Sequence, residues 1–151
     1  MNKLNITLIT RRIQAMILGL ILLFFSTNSL ADLVVVVHPN NPNDELSRQT
    51  VINLFMGKSR QFPDGSDAVP FDLDRGTDAR LAFISKLLKR TEAQVKAYWS
   101  RLVFTGRGKP PKSVEDEEEL IEIVSTNPKA IGYLKQEYVT GQLKIVFTIP
   151  E

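Results

Sequence analysis

The chain has 151 residues, with 19 Lys and Arg against 17 Asp and Glu, one His and no Cys. Without cysteine there are no disulfides, thiolate metal sites or Cys nucleophiles, so stability rests on packing. A lone His38 cannot make a metal site by itself, and no Ser or Cys is evidently paired with it for nucleophilic chemistry.

Met1 to Arg12 carries Lys3, Arg11 and Arg12 and no acid, and the run Ile13 to Phe25 is almost wholly apolar. Ser29-Leu30-Ala31 then puts small residues where a signal peptidase reads, so residues 1–31 are expected to be a secretory signal peptide cleaved after Ala31. The alternative, a retained membrane anchor, is disfavoured because about 13 apolar residues fall short of the roughly 20 that a spanning helix needs. Residues 32–151 are the size of one domain. Taking Lys3, Arg11 and Arg12 from the 19 basic residues leaves 16 against 17 acidic ones. The basic excess therefore belongs to the leader, and a near-neutral remainder gives no support for nucleic-acid or anionic-membrane binding.

Leu33-Val-Val-Val-Val37 is a continuous β-branched run, the pattern of a strand covered on both faces. His38-Pro-Asn-Asn-Pro-Asn43 ends it in a loop. Leu46 to Met56 reads as a helix with Val51, Leu54 and Phe55 on one face, stopped by Gly57, and Pro63-Asp-Gly65 as a turn. Lys58 and Arg60 in the intervening loop are read as solvated or dipole-compensating cations.

Ala68 to Leu73 reads as a short strand, Arg75-Gly76 as the turn leaving it, and Thr77 as the cap of a helix running to about Lys89, with Phe83, Ile84, Leu87 and Leu88 as its apolar stripe. Such a junction leaves backbone N–H groups facing outward, and these attract anions. A capping box would put Glu or Gln three residues after Thr77, but Arg80 stands there, on the unfavourable side of the helix dipole. An anion held between Arg80 and the helix start would account for that charge; so would a neighbouring carboxylate.

Thr91-Glu-Ala-Gln94 is a capping box opening a helix to about Val103, with Val95, Trp99, Leu102 and Val103 on one face and Tyr98 and Trp99 read as core aromatics. Phe104 to Lys112 is a basic loop carrying Arg107, Lys109 and Lys112. Its Gly-x-Gly is no dinucleotide fingerprint, because Pro110-Pro111 follows where a helix should begin. Ser113-Val-Glu-Asp116 reads as a further capping box, with the acidic run Glu115 to Glu119 in the first turns of its helix and Leu120, Ile121 and Val124 on the buried face. Consecutive carboxylates on a helix diverge and do not form a metal cage. Asn127-Pro-Lys is a turn, and Ala130 to Leu134 and Leu143 to Ile149 are strands. Strands alternating with helices indicate an α/β domain layered around a mixed sheet.

Three passages resemble the periplasmic phosphate-binding proteins of ABC transporters, within the type 2 periplasmic binding protein fold: Leu46 to Gly65 with its core Ile52-Asn-Leu-Phe-Met-Gly57; Asp72 to Phe83; and Asn127-Pro-Lys-Ala-Ile-Gly-Tyr133, similar to a family signature with Lys129 in a glycine position. The resemblance implies a single-lobe, three-layer α/β domain with helices flanking a mixed sheet. In that family a passage like Gly-Ser-Gly-Thr-Arg holds the oxyanion; carried over, Gly76 stands for its first glycine, Thr77 for the serine and Arg80 for the arginine. Asp78 replaces the second glycine and Ala79 the threonine, which removes a hydroxyl and adds a carboxylate that either accepts the proton of a protonated phosphate or, if badly placed, repels the anion. Gly76, Thr77, Asp78 and Arg80 are thus the expected ligand residues. Family members have two lobes that close on the ligand, and His38 to Asn43 lacks the Gly, Ser or Thr of a first-lobe phosphate loop.

The function implied is binding of phosphate or a similar oxyanion in the periplasm, without catalysis, metal or cofactor. An ABC permease, another envelope protein or a second copy would complete the cleft. The alternative is a non-catalytic envelope interaction module with a vestigial pocket. An enzyme is disfavoured, because no nucleophile–base pair, metal cluster or phosphate-transfer signature stands out in the sequence.

Overall fold

The computed structural model describes residues 33–150; the leader reading falls on residues outside that range. Strand β1, Leu33–Val37, is buried at every position. It pairs antiparallel with β4, Ala130–Lys135, on one side and with β5, Lys144–Ile149, on the other, where the register shifts between Val35 and Val36. Strand β4 continues in parallel to β2, Val69–Leu73, and β2 in parallel to β3, Lys112–Val114. The described residues thus form a five-stranded mixed sheet in the order β3-β2-β4-β1-β5.

Both faces of that sheet are covered, which is why β1 needs no polar alternation. On one face α1, Arg48–Phe55, and α2, Asp78–Ala82 continuing through a π-helical turn at Phe83–Leu87, bring Phe55 and Phe83 onto Tyr133 of β4. The Phe83 and Tyr133 rings stack at 3.9 Å between centroids, and Phe55 lies 5.7 Å from Tyr133. On the other face α4, Glu117–Thr126, lays Leu120 against Gly132, where a Cβ would meet its Cδ1 at 2.5 Å. The glycine is what lets this helix lie close to the strand. The architecture is therefore the three-layer α/β arrangement with a mixed sheet.

Helix α3, Glu92–Phe104, packs separately, in a small cluster of Ile84, Val95 and Trp99. Tyr98 Oη donates to the Met56 carbonyl at 2.8 Å, tying α3 to the end of α1. The Thr91 capping box forms in full, with Gln94 reaching back to the Thr91 amide. Arg48 Nη2 donates to the carbonyls of Lys86 and Leu87, placing a cation at the end of the turn that follows α2.

Two local expectations are corrected. Ser113 does not cap α4: it lies in β3, with its hydroxyl bonded to Asp74, and Asp116 takes the cap by accepting from the Glu119 amide at 2.9 Å. A cap three residues later wins because Lys112–Val114 pairs with β2. The helix expected from Thr77 to about Lys89 is α-helical only to Ala82, and Lys89 adopts a positive φ of 53°. Among the described residues no helix is long and apolar enough to cross a membrane.

Candidate functional site

At the carboxyl end of β2 the chain turns through Gly76, whose φ of +88° is natural only for glycine, into α2. Thr77 caps the helix: its hydroxyl donates to the Asp74 carbonyl at 3.0 Å and accepts, at 3.4 Å, from the Arg80 amide. Gly76 and Asp78 are exposed on the turn.

Arg80 points the other way, inward, and is 8% exposed. Its Nε donates to Asp72 Oδ2 at 3.0 Å and its Nη1 to Glu92 Oε1, the first residue of α3. Asp72 Oδ1 in turn accepts from the Tyr133 hydroxyl. A hydrogen-bonded chain Tyr133–Asp72–Arg80–Glu92 thus runs from the aromatic core to solvent. Burial, and after it the Asp72 charge, push the Tyr133 phenol far above its ordinary value, so it remains a donor throughout the physiological range. Arg80 Nη2 has no hydrogen-bond partner among the described residues.

Beside Arg80 opens a groove of about 700 Å³ between α3, the end of β2 and Pro110-Pro111. Asp72, Arg75, Arg80, Glu92 and Lys96 supply its charge, and Val95, Trp99, Val103 and Phe104 much of its wall. Trp99 lies against two glycines: a Cβ on Gly57 would come within 2.8 Å of its ring, and one on Gly108 within 3.5 Å. Val103, expected on the buried face of α3, is instead 54% exposed, and the neighbouring Phe104 is 93% exposed. The helix outruns the domain beneath it, so its last turn borders the groove instead of core.

Of the residues expected at the site, Arg80 therefore lines the groove, while Gly76, Thr77 and Asp78 form the turn outside its lining. Sequence reasoning did not single out Asp72, Glu92 and Tyr133 as the residues that orient the guanidinium. One signal was available: Asp72 is the lone carboxylate in an otherwise apolar strand, and a charge there demands a partner. His38 Nδ1 accepts from the Asn40 amide at 3.0 Å and serves its own loop. Lys129, in the glycine position of the Asn127 turn, pairs with Asp67 at the surface.

No protein-family model and no curated protein matches the chain. Solved structures do. One is the substrate-binding protein assigned to a phosphate ABC transporter of Clostridium perfringens, solved with bound phosphate: TM-score 0.61, 18% identity, covering 76% of this chain and 44% of that one. An ABC-type phosphate transport receptor from Vibrio cholerae gives TM-score 0.61 at 16% identity, over 76% of this chain and 45% of that one. PstS from Borrelia burgdorferi gives 0.59 at 15%, over 76% and 46%. The chain spans less than half the length of each, and at these identities the likeness is one of fold: a single-lobe α/β domain similar to part of the phosphate-binding proteins.

Proposed function

We propose that this chain is a periplasmic, non-catalytic binding protein that holds phosphate or a similar oxyanion on the guanidinium of Arg80, with Gly76, Thr77 and Asp78 forming the turn that carries Arg80 and not contacting the ligand. One observation carries the reading: the guanidinium of Arg80 is fixed by Asp72 and Glu92 while Nη2, its unused edge, is left for a ligand. A guanidinium oriented in advance binds an oxyanion without the entropy cost of ordering a long side chain. The same two carboxylates offset its charge, so affinity is expected to be modest for a wall open to water. An ABC permease, another envelope protein or a second copy supplies the opposite wall.

The test is calorimetric titration of the full chain with phosphate, sulfate and buffer alone. Arg80→Ala should weaken phosphate binding by a charge-assisted hydrogen bond's worth, about 1.5–3 kcal/mol. Arg80→Lys, which keeps the charge and loses the fork, should recover only part of it. Absence of phosphate binding at millimolar concentration overturns the proposal. It would leave the second reading, an envelope interaction module, which is favoured by the double neutralisation of Arg80.

A further inference from the structure

We infer that the natural ligand is an organic anion, an oxyanion head carrying an apolar body, with the body lying in the groove beside Arg80. The inference rests on the oxyanion reading and adds the class of ligand to it. Bare phosphate is a few ångströms across and would leave most of a space of about 700 Å³ to water. That volume falls within the few hundred to about 1,000 Å³ usual for small-molecule sites, and its lining has their chemistry: an apolar majority with a few convergent polar groups.

Charge selects the head. Asp72 and Glu92, the carboxylates in the lining, are both bonded to Arg80, whereas Arg75 and Lys96 have no ion pair among the described residues. Nearby Asp74 is engaged by the Ser113 hydroxyl. The charged side chains of the lining, Arg75, Arg80 and Lys96 against Asp72 and Glu92, sum to one positive charge, while Asp74 keeps its charge outside the lining. Shape and polarity select the body. Trp99 supplies an indole wall packed against two glycines, Pro110-Pro111 adds lining with no N–H donors, and Phe104 is 93% exposed. Phe104 gains a partner only when something apolar lies beneath it.

Trp99 is the sole tryptophan of the chain, so its fluorescence reports occupancy directly. The full chain is titrated with phenyl phosphate, inorganic phosphate and benzyl alcohol, by Trp99 emission and by calorimetry. Phenyl phosphate should bind at least tenfold tighter than inorganic phosphate and shift Trp99 emission, and benzyl alcohol should bind at least tenfold more weakly than phenyl phosphate. Phe104→Ala, at a side chain too exposed to matter for folding, should weaken phenyl phosphate severalfold and leave inorganic phosphate unchanged. Equal affinity for the two phosphates overturns the inference and spares the oxyanion reading; binding of neither overturns both. Benzyl alcohol binding as tightly as phenyl phosphate overturns it by removing the role of charge. Two other occupants would overturn it as well: a second copy, seen as a concentration-dependent Trp99 shift without ligand, and an acidic phenylalanine-containing peptide that outcompetes phenyl phosphate.

Discussion

Replacing Glu92 with Gln separates the two effects of the carboxylates on Arg80, orientation and attenuation. The amide keeps an oxygen for the hydrogen bond from Nη1 and removes the negative charge. For an oxyanion on Nη2, taking a separation of about 6 Å from the Glu92 carboxylate, repulsion between unit charges is roughly 0.7 kcal/mol in bulk water and about 2.8 kcal/mol at an effective dielectric constant of 20. The Glu92 side chain is 40% exposed, so the watery limit is the better guide. A gain of about 1 kcal/mol, or roughly fivefold tighter phosphate binding, is expected. Because Glu92 is the outer, part-exposed partner of buried Arg80 and the amide keeps the hydrogen bond, the variant should lose less than about 1 kcal/mol of stability. Calorimetry at low ionic strength measures the gain, and it should shrink towards physiological salt, where the screening length is about 8 Å. If the folded variant binds phosphate no better than the parent, no anion sits on the free edge of Arg80.

Other consequences concern the scaffold. Gly132→Ala should destabilise the domain by about 1–3 kcal/mol in urea unfolding, because the new methyl meets the buried Leu120 and neither the strand nor α4 can move without disturbing packing elsewhere; a cost under about 0.5 kcal/mol would mean that α4 does not lie where described. Tyr133→Phe should show itself through pH. The folded phenol titrates above its ordinary value of 10.0, so its contribution is fully present below about pH 10 and declines above it by about 1.4 kcal/mol per pH unit, as only the unfolded chain ionises. The stability gap between parent and variant should thus be flat near neutrality and close above pH 10, and a gap that stays constant would refute the buried Tyr133–Asp72 bond.

What could be read from the sequence was what is decided locally or by burial. Five consecutive β-branched or aliphatic residues at Leu33–Val37 announced a strand hidden on both faces, and it is. The Thr77 and Thr91 caps lie within three residues of the amides they satisfy, so no tertiary knowledge was needed. Strand β3 escaped notice because two of its three side chains are exposed and its pairing partner, β2, lies far back in the chain. Without that pairing, Ser113 looked free to cap. Val103 followed the helical period faithfully, but periodicity says which face is apolar, not whether the domain extends far enough to cover it. Arg80 stood out as an anomaly at its position, and both explanations offered for it were local in form. The carboxylates that hold it belong to β2 and α3, and only the fold makes them converge.

The placement of that convergence bears on how a single open wall could serve as the proposed site. A cleft that closes strengthens its contacts by expelling water, so its groups need not be rigid beforehand. A single open wall lacks that gain and must lower the cost of binding in another way. Here the Tyr133 ring is stacked on Phe83 and packed near Phe55, its hydroxyl fixes Asp72, Asp72 fixes Arg80, and the capped start of α3 brings up Glu92. The rotamer entropy of the arginine, on the order of 2 kcal/mol, is thereby lost on folding and not on binding. In the proposed site this chain of contacts stands in for closure: it leaves the guanidinium weaker as a charge and better as a template. Such a wall should discriminate by the geometry of the anion more than by its net charge, and should release it readily.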